Sequence, residues 1–218
     1  MTSRDTTKIP NSDSCLPTPH MQKGGAPRWW SAIVALLSII GTVASVELVM
    51  AEQQKKVAPL GELGCDINVL IGCGESILSP EAHLFFGISN SILGTTAFSI
   101  LAVIAVSLFF RVTLPRSLWW LMLLGAIGAI AMVVFFLWAS IVTFKALCPY
   151  CLVVWTVSIA LFYLILAHVL RLQATPQRPL KGITRLFVRD WWLLLIATYL
   201  VVFLIIVIAF FDKFALLL

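Results

Sequence analysis

Two cysteines separated by two residues, in the run Cys148-Pro149-Tyr150-Cys151, stand where a long apolar segment begins. Proline is favoured at the first position of a helix, because the N–H group that it lacks would have no partner there. The motif therefore predicts a helix that begins at Pro149, with Cys148 at its cap and Cys151 in its first turn. The unpaired N–H groups and the positive end of the helix dipole stabilise a thiolate at this place, which favours a reactive dithiol. Two small buried apolar side chains are the simpler alternative.

A second pair of cysteines, Cys65 and Cys73, lies in the only long polar stretch of the sequence, residues 51–90. Two thiol pairs on one side of a membrane can pass electrons by thiol–disulfide exchange, in which a thiolate attacks a disulfide. A Cys65–Cys73 bond that only closes a small loop is the alternative. The spacing of the four cysteines does not match the usual zinc sites, so no metal site is predicted. Four glycines near the loop cysteines would let this stretch move: Gly61, Gly64, Gly72 and Gly74.

The composition is that of an integral membrane protein. Of the 218 residues, 61% are hydrophobic and only 11% are charged, and the mean hydropathy is +1.02. A soluble domain could not cover so much apolar surface. The net charge of +5 does not indicate nucleic-acid binding, because the basic residues cluster beside apolar runs, where they report membrane topology.

Five apolar runs are each long enough to cross about 30 Å of hydrocarbon as a helix. The first could be a signal peptide, but its length and the four spans after it favour an uncleaved anchor. The predicted spans cover residues 28–50, 90–110, 117–143, 149–170 and 191–211.

These spans predict an all-α integral membrane protein, in which a four-helix transmembrane bundle is joined by a fifth transmembrane helix. Residues 1–28 are expected to be a disordered cytoplasmic tail. The four-helix domain covers 29–171, with 51–90 as its outward-facing loop, and a basic linker over 172–190 leads to the fifth helix in 191–218.

The distribution of Lys and Arg predicts the orientation. The tail, the turn at 111–116 and the loop at 171–189 hold eleven of them, and the opposite side holds four. The side that is richer in Lys and Arg is cytoplasmic. Cys15 then lies alone in the cytoplasm, whereas the other four cysteines face the outer, oxidising side, where disulfides persist.

The cysteines and the polar residues around them resemble the vitamin K epoxide reductase family. The resemblance covers residues 32–171, and it is closest to the bacterial homologues that reoxidise disulfide-forming partners. It rests on the following residues: Cys65-Asp66-Ile67-Asn68, Cys73, Ser79, Ser89-Asn90-Ser91-Ile92-Leu93-Gly94 and Cys148-Pro149-Tyr150-Cys151.

The resemblance implies a role for each cysteine. Cys151 would face a quinone, and Cys148 would exchange with the loop. Cys73 would be the loop thiol that reacts with Cys148, and Cys65 would meet the partner protein.

The resemblance also implies residues that bind the quinone. Asn90 matches the side-chain amide that hydrogen-bonds a quinone carbonyl, and a cap of the second span is its alternative role. Ser79 matches the Ser or Thr that follows the loop pair. Trp155 stands where the vertebrate enzymes have a Tyr. It either contacts the second carbonyl of the quinone or only packs against neighbouring side chains.

The function implied is that of a quinone-dependent thiol oxidoreductase in a bacterial inner membrane, with menaquinone or ubiquinone as electron acceptor. Some relatives have a thioredoxin-like domain after the fifth helix. This sequence ends at Leu218, which predicts a separate thioredoxin-like or DsbA-like partner on the periplasmic or extracellular side. The alternative from another class is a membrane protein that binds or transports a soft metal through thiolates. Membrane lipid is a further expected partner.

Overall fold

A computed structural model describes a large part of the chain. The described residues are 17–58, 72, 83, 87–174 and 182–211. Cys15, Cys65, Cys73 and Ser79 lie outside them.

Within these ranges the chain is helical, and five helices are long and apolar enough to cross a membrane. The all-α membrane fold predicted from the sequence is confirmed, and the second, fourth and fifth spans begin at the predicted residues. The helices are α1 (Pro19–Gln22), α2 (Arg28–Val57), α3 (Asn90–Phe109), α4 (Arg116–Ala139), α5 (Pro149–Leu172), α6 (Ile183–Arg189) and α7 (Trp191–Ala209).

Helix α5 is the centre of the bundle. It packs against α2, α4, α6 and α7, and α2 also packs along α3. Half of the apolar part of α5 is buried, whereas none of the apolar part of α7 is. Two hydrogen bonds of 2.7 Å join α7 to α5, one between the Tyr163 and Thr198 hydroxyls and one from the Tyr199 hydroxyl to the Thr156 carbonyl. The fifth membrane helix is therefore attached to the outside of the bundle.

An aromatic cluster joins three helices at one end of the bundle. Trp30 of α2 donates a hydrogen bond from Nε1 to the Leu164 carbonyl of α5 over 3.1 Å. The ring of His168 of α5 packs against two tryptophan rings, 4.9 Å from Trp30 and 4.2 Å from Trp119 of α4 by ring centroids. This end of α2, α4 and α5 is thus held by packed rings.

Helix α2 extends further than the sequence predicts. The loop expected over 51–90 begins only after Val57, because residues 51–57 continue the helix. Glu52 and Lys56 are four residues apart and form an ion pair of 2.6 Å within this last part of α2. Lys55 and Lys56 also lie in the last turn, where positive charge interacts favourably with the helix dipole.

Residues 17–27 differ from the unstructured tail expected over 1–28. They contain α1, and tertiary contacts hold them against the turn before α4. The Gly24 carbonyl accepts hydrogen bonds from Trp119 Nε1 and from the Leu114 N–H, both over 3.1 Å. Gly24 has φ +89°, and a Cβ there would lie 2.0 Å from the Leu114 oxygen, so only glycine fits. The predicted basic linker over 172–190 likewise contains a helix, α6.

Gly41 allows α2 to approach α3, and its replacement tests this contact. A Cβ at Gly41 would lie 2.9 Å from the ring of Phe98, so Gly41→Ala forces a packed side chain to shift. We expect the free energy of unfolding to fall by about 1–3 kcal/mol. Thermal unfolding of the protein in detergent measures the change.

Gly125→Ala in α4 is the matched control. A Cβ at Gly125 meets no atom within 4 Å, so this variant is expected to be as stable as the parent or slightly more so. Equal melting temperatures for the two variants would show that α2 and α3 are not closely packed at Gly41.

Candidate functional site

The segment between α4 and α5 places Cys148 at the start of α5. Helix α4 continues as a π-helical turn over Ser140–Phe144, a feature that is frequent at functional sites. Lys145 follows in the left-handed conformation, with φ 52°, and turns the chain away from the helix axis. Cys148 then caps α5 with an extended backbone, and Pro149 occupies the first turn. The helix start that the sequence predicts at this motif is therefore observed.

The two cysteines of the motif lie together as thiols in one group of packed side chains. Cys148 is 5% exposed, and Cys151 is half-buried. Leu48 and Ala51, near the end of α2, pack against Cys148, and Cys151 packs against the same group. We call this end of the bundle the thiol end. It contains the end of α2 and the starts of α3 and α5.

Trp155 lies one turn after Cys151 on α5 and is 5% exposed. It packs with Val133 and Leu137 of α4 in an apolar cluster, and Cys151 packs against that cluster. The packing role that the sequence leaves open for Trp155 is therefore present in the structure. A contact between Trp155 and a quinone remains a prediction.

Asn90 is the first residue of α3, and Ser89 is its cap. The Ser89 hydroxyl accepts a hydrogen bond from the Ser91 N–H over 3.3 Å, and Ser89 is buried. The cap role that the sequence offers as the alternative for Asn90 thus belongs to Ser89. Asn90 is half-buried at the thiol end.

A backbone hydrogen bond connects the long loop to the start of α5. The Gly72 N–H donates to the Leu147 carbonyl over 3.1 Å. Gly72 immediately precedes Cys73 in the sequence, and Leu147 immediately precedes Cys148. Cys65, Cys73 and Ser79 themselves lie outside the described residues, so their predicted roles are not tested by the structure.

Glu52 is a buried residue at the thiol end that the sequence indicates only as one of several loop charges. It lies in α2, is 3% exposed, and accepts hydrogen bonds from Lys56 and from His83 of the loop. The spacing of Glu52 and Lys56 after a long apolar run is the signal that could have placed Glu52 in a helix. No sequence pattern indicates its contact with His83.

A Cys-x-x-Cys dithiol at the start of a helix is an arrangement typical of thiol oxidoreductases, and here it stands in a membrane-spanning helical bundle. The family model described as "Vitamin K epoxide reductase family" matches residues 32–166, more than half of the chain. The chain belongs to the vitamin K epoxide reductase family, whose members are membrane thiol oxidoreductases linked to quinone. A search of the curated proteins found no match.

Proposed function

We propose that the chain oxidises the thiols of a separate thioredoxin-like protein and passes the electrons to a membrane quinone. The partner dithiol reduces the Cys65–Cys73 disulfide, and the resulting loop dithiol reduces the Cys148–Cys151 disulfide. In each exchange two electrons move, so that one dithiol becomes a disulfide and one disulfide becomes a dithiol. The Cys148–Cys151 dithiol is then oxidised back to the disulfide, and its two electrons and two protons would convert a bound quinone to a quinol.

The hydrogen bond from Gly72 to Leu147 is the observation that best supports this relay. Exchange requires the two reacting cysteines to approach until their Cα atoms are within roughly 7 Å. A backbone hydrogen bond of 3.1 Å joins the residues that precede Cys73 and Cys148. A closed loop that served only as a staple would not need to bond to the start of α5.

The residues at the thiol end fit a quinone in their chemistry. A quinone has an apolar ring and two carbonyl acceptors, and Asn90 offers amide donors at the start of α3. Cys151 is half-buried among apolar side chains, which suits a thiol that meets an apolar ring. Ser79 and Trp155 are proposed as further contacts on the resemblance to the family.

The proposed location is a bacterial inner membrane, with the N-terminus and the linker before α7 in the cytoplasm. The eleven Lys and Arg residues on one side against four on the other support this orientation. It places the thiol end on the periplasmic or extracellular side, where disulfides persist and a thioredoxin-like partner can reach the loop.

A double variant tests the relay by trapping its central intermediate, the mixed disulfide between Cys73 and Cys148. Cys65→Ala and Cys151→Ala remove the two thiols that would resolve a Cys73–Cys148 bond. With Cys15→Ala added, we expect the purified protein to form this bond on treatment with oxidised glutathione. A protease site inserted into the exposed turn at 111–113, followed by non-reducing electrophoresis, should show two fragments that remain joined.

The control adds Cys73→Ala to the same background, and its fragments should separate. If fragments of the double variant also separate while both remaining thiols react with a maleimide, the loop does not exchange with Cys148 and the proposed relay is wrong.

Asn90→Ala tests the quinone contact. Loss of a hydrogen bond to an oxygen that gains negative charge is expected to lower the rate of quinone reduction by a factor of about 10–100. Thr96→Ala is the control on α3, because the Thr96 hydroxyl is exposed and bonds to the Ile92 carbonyl of its own helix. Quinone reduction at the parental rate in Asn90→Ala would show that Asn90 does not bind the quinone.

A reporter that is active only in the cytoplasm tests the orientation. Attached after Leu218, it should be inactive, and inserted into residues 175–181, it should be active. The reverse pattern would place the thiol pairs in the reducing compartment, and the proposed direction of electron flow would then be untenable.

A further inference from the structure

A buried carboxylate lies at the thiol end although the proposed relay makes no use of it. Glu52 is in the last part of α2, directly after Ala51, which packs in the group that contains Cys148. Only 3% of Glu52 is exposed. A buried carboxylate is costly unless hydrogen bonds or opposite charges compensate it, so its partners indicate what its position depends on.

The partners of Glu52 come from three parts of the chain. Lys56 Nζ lies 2.6 Å from Glu52 Oε1 and belongs to the same helix, so this ion pair does not connect α2 to another part of the chain. His83 Nε2 lies 3.1 Å from the same oxygen and belongs to the loop between α2 and α3. Ser89, which caps α3, also lies beside the carboxylate. We call these four residues the Glu52 cluster.

The position of Ser89 beside Glu52 is compatible with its role as a cap. A serine hydroxyl has one donor and two acceptor positions. It accepts from the Ser91 N–H, so its proton is available for the Glu52 carboxylate.

Among the contacts of Glu52, the one with His83 bears on the proposed relay, because His83 belongs to the loop. It is ten residues after Cys73 in the sequence, and its bond to Glu52 attaches the loop to α2 at a second place besides the Gly72–Leu147 bond. A segment attached at two places has fewer conformations to sample than one attached at one place. The concentration of its reactive thiol near a fixed target is correspondingly higher.

Resting on the proposed function, we propose that Glu52 is a positioning residue for exchange between the loop and the thiol pair. Through His83 it holds the loop beside α2 and α5, so that the loop thiol meets Cys148 at a high effective concentration. Glu52 itself neither gains nor loses electrons, and no bond of the reaction forms or breaks at its side chain.

The experiment measures that effective concentration in the Cys15→Ala, Cys65→Ala, Cys151→Ala background. The fraction of protein with an internal Cys73–Cys148 bond is determined across a series of glutathione redox buffers. Glu52→Gln and His83→Ala are each expected to lower the effective concentration about tenfold. Because both act through one contact, the double variant should fall no more than about twofold below the single ones.

Glu47→Gln is the matched control, since it makes the same change five residues earlier on α2, and it should stay within about twofold of the background. Should Glu52→Gln fail to fold, His83→Ala decides alone, because His83 lies on the loop and its side chain is 24% exposed. An unchanged effective concentration in His83→Ala overturns the proposal.

A second assay separates this result from a failure of the proposed function. In Cys65→Ala, Cys73→Ala protein, dithiothreitol can reduce the Cys148–Cys151 disulfide directly and quinone reduction is followed. His83→Ala in this background should retain the rate within about twofold. If this background reduces no quinone at all, the proposed function fails. If His83→Ala lowers the rate about tenfold here, His83 does not act through the loop, and the positioning proposal fails while the function stands.

Discussion

Helix α2 packs against α3 and α5, the two helices that carry Asn90 and the thiol pair. The arrangement of the thiol end follows from this packing. Along its length it packs against α3 at Gly41 and against the central helix α5. Near its end, Leu48 and Ala51 pack against Cys148. Since α3 begins with Asn90 and α5 begins after Cys148, one helix brings the proposed quinone ligand and the thiol pair to the same end of the bundle.

The two ends of the bundle are built differently. Away from the thiols, the rings of Trp30, Trp119 and His168 pack at tilted angles, and indole N–H groups donate to backbone carbonyls of other segments. At the thiol end, Leu48 and Ala51 pack against Cys148, and the described contacts of the loop are hydrogen bonds, made by Gly72 and His83. Apolar ring packing suits a permanent contact between helices, whereas a few hydrogen bonds would suit the exchange that we propose for the loop.

The membrane environment explains why the reactive thiols of Cys148 and Cys151 lie at the start of a helix. Inside hydrocarbon, backbone polar groups must be bonded within the helix, so unpaired N–H groups are found only at its ends. Cys148 caps α5, and we propose that thiols from the aqueous side and a quinone from the membrane meet at this helix start. The half-buried Cys151, three residues further on, continues this path toward the apolar cluster around Trp155.

The sequence by itself determined the membrane class, the five spans and several of their first residues. Apolar length is sufficient to define a membrane helix, and Pro149 marks a helix start by its own covalent structure. The tertiary structure alone decided the rest. The order in residues 17–27 depends on Trp119 and Leu114, and the burial of Glu52 depends on His83 and Ser89. The physical reason is that hydropathy and caps act within a few residues, whereas these contacts join residues that are distant in sequence and form only when the helices pack.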